Sequence, residues 1–128
     1  MPPAFLTLDE VIEIHRDQIE RYGGRGGIRD MALLQSSVAM PQTSFGGKYL
    51  HTDLFEMAAA YLFHIVRNHP FVDGNKRAGT VAAVVFLALN GEEVRVTNTA
   101  LVQIVLSVAR GETGKSGIAE FLRKHSRR

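Results

Sequence analysis

His69-Pro70-Phe71-Val72-Asp73-Gly74-Asn75-Lys76-Arg77 runs without a break into Ala78-Gly79-Thr80-Val81-Ala82-Ala83-Val84-Val85-Phe86-Leu87-Ala88-Leu89. The second part reads as a helix from about Gly74 to Leu89, stopped by Asn90-Gly91, and it is apolar nearly all round. In a soluble chain a helix of that kind is central and enclosed by others. The first part puts an imidazole, a carboxylate, a Gly-Asn turn and two cations directly before it. A helix start offers unpaired N–H groups and the positive end of the helix dipole, so the junction is a ready anion site.

Outward from that junction, the chain reads as helix after helix. Thr7-Leu8-Asp9-Glu10 is a capping box, followed by a stripe of Leu8, Val11, Ile12, His15, Ile19 and Tyr22 that Gly23-Gly24 stops. A second, shorter helix covers Asp30 to Ala39 and ends before Pro41. Asp53 caps a third, which ends just before the motif because Pro70 disfavours a helical His69. Thr97-Asn98 caps a fifth, stopped by Gly111, and Ser116 caps a sixth that carries Ile118, Phe121 and Leu122. Only Glu93-Val94-Arg95-Val96 and the Pro41–His51 connection have strand character. The expected fold is all-α: a single domain over 1–128, about six helices around the apolar central one, with a small flap before the third helix.

Composition narrows the function classes. With 128 residues, 45% of them hydrophobic, the chain can bury its own core. It has no cysteine, which excludes disulfides and thiolate metal sites. No run reaches the roughly 18 apolar residues of a membrane span, and the first residues lack the layout of a secretory signal. The expectation is a cytoplasmic protein with no membrane contact. A net charge of +2 and pI near 9.2 are too mild for direct nucleic-acid binding. The basic tail Arg123 to Arg128 reads as frayed and solvated.

In the motif, Asp73 can cap the fourth helix, and Gly74 allows close backbone approach. The N–H groups of Gly74, Asn75, Lys76 and Arg77 face outward, and the Arg77 fork suits phosphate oxygens. Asp73 suits Mg²⁺, which prefers a carboxylate together with phosphates and water. His69 can take a proton from an attacking hydroxyl. Each residue alone has a plainer role: helix cap, solvated cation, local hydrogen bond. Together they make a phosphoryl- or nucleotidyl-transfer centre. Other features are decoys. Gly114-Lys115-Ser116 imitates a P-loop but lacks the glycine at position 109, which is Ala109, and lacks a preceding strand. His15 and His64 read as core or boundary residues, His51 as a border of the flap, and Arg67 as a solvated helix end.

The stretch from His69 to Arg77 resembles the active-site motif of the Fic fold, specifically its death-on-curing (Doc) branch. Typical Fic nucleotidyltransferases carry a second glycine where Lys76 stands and a second arginine where Thr80 stands; both departures match the Doc branch. Gly26-Gly27-Ile28-Arg29-Asp30, Leu33-Leu34 and Pro41 through Phe45-Gly46-Gly47 also look like the Doc pattern. The resemblance implies a toxin of a type II toxin–antitoxin system. Such a toxin is a protein kinase that moves the ATP γ-phosphate to a threonine of elongation factor Tu and so inhibits translation. His69 would then be the base, Asp73 would orient Mg²⁺ or substrate, and Gly74, Asn75, Lys76 and Arg77 would bind the phosphates of ATP. Phe71 would anchor the loop, and Thr43, Ser44 and Phe45 would lie in the flap that positions the target. A Phd-like antitoxin would be the partner. Two alternatives remain open: an adenylyltransferase, and a catalytically silent antitoxin-binding module.

Overall fold

Side-chain caps set most of the helix starts in the computed structural model, which describes residues 2–128. Six helices are present among them: α1 (Leu8–Tyr22), α2 (Met31–Ala39), α3 (Leu54–Asn68), α4 (Asn75–Leu89), α5 (Asn98–Ala109) and α6 (Lys115–Lys124). At α1 the expected box is complete: Thr7 Oγ1 accepts the Glu10 N–H, and the Glu10 carboxylate accepts the Thr7 N–H. Asp30, Asp53 and Thr97 likewise accept the third N–H of α2, α3 and α5. α6 departs from expectation: Gly114, not Ser116, is its N-cap, and no side chain closes it. The helix starts two residues early, with Ser116 inside its first turn.

A 3₁₀ turn (Met40–Gln42) leads into the flap, a hairpin of β1 (Ser44–Phe45) and β2 (Lys48–Tyr49) with Ser44 opposite Tyr49. Gly46 and Gly47 form its turn at φ +56° and +80°, the left-handed values that a two-residue hairpin turn requires. A second pair joins β3 (Glu93–Val94) to β4 (Ser126–Arg127). The tail expected to fray is therefore held as a strand, because Val94 and Glu93 offer it an open backbone edge.

The mostly helical fold agrees with expectation, and its centre is a pair, α3 with α4. α3 buries Met57 through Leu62, Ile65 and Val66; α4 buries Ala78, Ala82, Ala83, Phe86 and Leu87. Gly79 sets their spacing: a Cβ there would lie 3.1 Å from Val66 Cγ2 and 3.2 Å from the Leu62 carbonyl oxygen. α4 runs out to solvent at Leu89, so its far end is less enclosed than its composition implies. The pairing holds the end of α3 and the start of α4 side by side, joined by residues 69–74. No helix among the described residues is long and apolar enough to cross a membrane.

Candidate active site at the start of helix α4

The six-residue link between α3 and α4 is held in shape from below and from the side. Phe71 is buried, and its ring stacks on His15 of α1 with centroids 3.8 Å apart and planes within 2° of parallel. His15 Nε2–H donates to the Asp73 carbonyl at 2.7 Å, so one buried imidazole supports both the anchor and the turn. Along its outer edge the link pairs with the glycine-rich segment after α1. Ile28 and Phe71 form an antiparallel bridge, and the Val72 N–H donates to the Gly27 carbonyl at 3.0 Å.

Asn75, at the first position of α4, is the internal clasp. Its Oδ1 accepts the Phe71 N–H at 2.9 Å and its Nδ2 donates to the Phe71 carbonyl at 3.0 Å. Those two bonds fix which way the amide points. Its second N–H therefore faces His69 Nδ1, 3.3 Å away. An amide nitrogen can only donate, so Nδ1 is the acceptor, and the neutral His69 ring carries its hydrogen on Nε2. His69 itself is exposed.

Asp73 does not cap α4, contrary to the expectation from spacing. Gly74 takes the N-cap position in the left-handed region, at φ +74°, and the Asp73 carboxylate turns back. One oxygen accepts the Arg25 N–H at 3.1 Å and the other accepts the N–H of Gly74 at 2.8 Å. The Arg25 and then the Gly74 backbone bond, with smaller help from the Arg77 and His15 charges, hold this exposed carboxyl below its ordinary value. It is a carboxylate at neutral pH. Gly24, at φ +111°, makes room for it: a Cβ there would lie 2.8 Å from Asp73 Oδ2 and 3.1 Å from Arg77 Nη2.

With no side chain capping α4, the first-turn N–H groups of Asn75, Lys76 and Arg77 have no intrahelical acceptor. Arg77 is half-buried, with Nη1 on the Gln18 carbonyl at 3.2 Å. Lys76 is exposed, and the Thr80 hydroxyl is turned onto the Lys76 carbonyl at 2.7 Å. A cavity of about 500 Å³ opens beside these cations, walled by Gln18, Tyr22, Thr80, Leu101 and Val105. It joins a cationic end to an apolar wall, a form suited to a small anionic ligand with a flat apolar part.

The structure thus gathers His69, Asp73, Gly74, Asn75, Lys76 and Arg77 into one group. Thr43, Ser44 and Phe45 lie in the flap as expected, but they make no hydrogen bond to that group; Phe45 is 69% exposed. Three contributors escaped the sequence reading. His15 sits on the apolar stripe of α1 and reads there as core; Gly24 and Arg25 look like ordinary loop residues. Arg67 is exposed at the end of α3, as expected, and its Nη1 also donates to the Ala109 carbonyl at 3.1 Å, closing the end of α5. His51 lies buried behind the flap, beside His64 and Lys115. No group of three or more His, Asp or Glu suited to a metal occurs among the described residues.

Comparison with known proteins follows the same outline. Residues 5–87 match the Fic/DOC family. The chain is similar to the "Protein kinase doc" of Escherichia phage P1, 34% identical over 119 residues that cover 93% of each chain. It is also similar to the "Toxin Doc" of Mycolicibacterium smegmatis, 42% identical over 73 residues, covering 57% of this chain and 56% of that one.

Proposed function

The chain belongs to the Fic/DOC family, and from that premise we propose that it is a Doc toxin that phosphorylates a threonine of elongation factor Tu with ATP. The observation that carries this reading is the start of α4. Three unpaired N–H groups, Lys76 and Arg77 converge there, with the His69 imidazole held beside them through Asn75. Phosphoryl transfer needs little covalent chemistry from a protein; it needs the phosphate positioned, its charge stabilised and the nucleophile deprotonated.

The phosphate chain of ATP lies on the first turn of α4, with Arg77 and Lys76 taking equatorial oxygens. The flap orients the target segment so that the threonine hydroxyl meets the γ-phosphorus in line. His69 takes the hydroxyl proton at Nδ1, the nitrogen that carries the lone pair, exchanging its long contact with Asn75 for the incoming hydroxyl. The new O–P bond forms as the bond from the γ-phosphorus to the bridging oxygen breaks, and ADP leaves. Asp73 fits Mg²⁺: it is ionised and exposed, and its two oxygens each keep a free lone pair beyond the backbone bonds. Mg²⁺ bound there would neutralise phosphate charge. The protein supplies one carboxylate, as expected of an ion held mainly by nucleotide and water.

Lys76 supports γ- rather than α-phosphate transfer. A lysine side chain at position 76 would crowd the floor that a glycine leaves open for the α- and β-phosphates, and Thr80, turned onto the Lys76 carbonyl, offers no second clamp. ATP then lies reversed, with its γ-phosphate toward His69. A Phd-like antitoxin is the expected partner, its apolar segment covering the α1–α4–α5 groove where Tyr22 and Val102 stand exposed. The test is label transfer from ATP marked at the α- or γ-phosphate, to purified elongation factor Tu and to a bacterial lysate. γ-Label on elongation factor Tu, absent with His69→Ala, is the expected result. α-Label would make the protein an adenylyltransferase, and transfer of neither label would leave it a binding module.

A further inference from the structure

The end of α3 has an unusual problem. His69 is the one non-glycine residue with positive φ among the described residues, at φ +49° and ψ +55°. A left-handed residue at a helix end is ordinarily steadied by N–H groups just beyond it, which turn back to the last carbonyls. Here the next residue is Pro70, which has no N–H. Proline also pushes the residue before it toward extended backbone, away from the conformation His69 adopts. The link alone therefore neither favours the His69 geometry nor satisfies the carbonyls around it.

Arg29 supplies both needs from outside. Its Nε donates to the His69 carbonyl at 2.6 Å and its Nη2 to the Asn68 carbonyl at 2.9 Å. The backbone N–H groups of Arg29 and Asp30 then donate to the Pro70 carbonyl at 2.7 and 3.0 Å. Three successive carbonyls, 68 to 70, are thus held by one short segment. The planar guanidinium matters here, because two donors in a fixed fork set the angle between two peptide planes; a lysine ammonium is a single rotating point. The Arg29 side chain makes no hydrogen bond to Asp73, Asn75, Lys76 or Arg77.

We propose that Arg29 is the positioning residue for His69: its fork holds the strained backbone that presents the imidazole to the phosphate site. This rests on the reading of His69 as the proton acceptor. Arg67 provides the contrast. It too closes a helix end, that of α5, through carbonyls of Val108 and Ala109, but it holds no residue of the site.

The test compares Arg29→Ala, Arg29→Lys and Arg67→Gln with the wild-type chain. Two readouts are used: γ-label transfer at saturating ATP, and the nitrogen-15 ring signals of His69, assigned by their loss in His69→Ala. Misplacing a reacting group by about 1 Å costs about 10²-fold in rate. Arg29→Ala is expected to lose about that factor in kcat while its KM for ATP stays within about twofold. Added guanidinium ion should restore part of the rate to Arg29→Ala, and Arg29→Lys should stay impaired. The His69 ring signals should move in both Arg29 variants and stay in place in Arg67→Gln. The ring signals need no catalysis, so they decide the proposal even if wild type transfers no label and the kinase reading fails. Wild-type kcat in Arg29→Ala would overturn it. So would unmoved His69 signals, or an equal loss in Arg67→Gln.

Discussion

α4 and α6 begin with the same parts and end in different chemistry. Each follows a glycine N-cap with no side-chain cap, each carries a lysine in its first turn, and each has two histidines beside it. At α6 the lysine turns inward. Lys115 Nζ lies 3.3 Å from His51 Nε2, 3.4 Å from His64 Nε2 and 5.9 Å from the Phe63 ring centre. Its charge is spent on two neutral imidazoles, and burial followed by the lysine charge drives His64 down to about 4 and lowers His51 as well. At α4 Lys76 stays outside and the half-buried Arg77 meets only the Gln18 carbonyl, and the two histidines have separate tasks. His15 is fixed to the Asp73 carbonyl, while His69 stands exposed on a strained backbone. A lysine at a helix start beside histidines is therefore no mark of a phosphate site. What sets α4 apart is positive charge without a carboxylate partner, with the Asp73 carboxylate and the exposed His69 imidazole at its edge.

The largest effect that would sharpen this contrast comes from the imidazoles themselves. His69→Ala is expected to lower γ-label transfer by about 10²- to 10⁴-fold, the range for removing a general base. His64→Leu, at the α6 cluster, should leave the rate near wild type. Equal losses would dissolve the distinction between the two helix starts. Next comes Asn75→Ala, which frees the His69 ring and strands the buried N–H and carbonyl of Phe71. Transfer should fall by about 10²-fold, and urea unfolding should show about 1–3 kcal/mol lost for the unpaired groups.

A smaller effect is expected at His15. His15→Phe keeps a ring against Phe71 but removes the donor to the Asp73 carbonyl. The rate should drop by about tenfold, the equivalent of one ordinary hydrogen bond, with KM for ATP raised because the anion site itself is loosened. An unchanged KM would place His15 in the core alone.

The smallest effect belongs to α6 and appears in stability, not in rate. His51 and His64 both titrate lower in the folded chain than their ordinary value of 6.5. Unfolding therefore takes up protons below that pH, and stability is full above about pH 6.5 and lost as pH falls toward 4. The melting temperature should decline over that window in wild type. Lys115→Met removes part of what holds both values down, so its decline should be shallower. A steeper one would contradict the arrangement around Lys115.

Much of this was legible in the chain because the deciding signals are local. Thr7 with Glu10, Asp53 with Glu56, and Gly23, Gly91 and Gly111 bound the helices by interactions within a few residues. The motif residues His69 to Arg77 are neighbours in sequence as well as in space. What was hidden depends on partners far along the chain. The spacing of Asp73 suits a helix cap, but its carboxylate is held by the N–H of Arg25, 48 residues away. His15 looked like core because its two partners, Phe71 and Asp73, lie on another element. The tail looked free because its strand partner, Glu93-Val94, is an edge that only the fold exposes.

The most direct measurement is an amide nitrogen-15 spectrum of the whole chain titrated with ATP and Mg²⁺. The account predicts that the signals of Gly74, Asn75, Lys76 and Arg77 move together while those of Ser116 and Gly117 at the start of α6 stay fixed. Movement at Ser116 and Gly117 instead, or no movement at the four residues of α4, would contradict the assignment of the phosphate site.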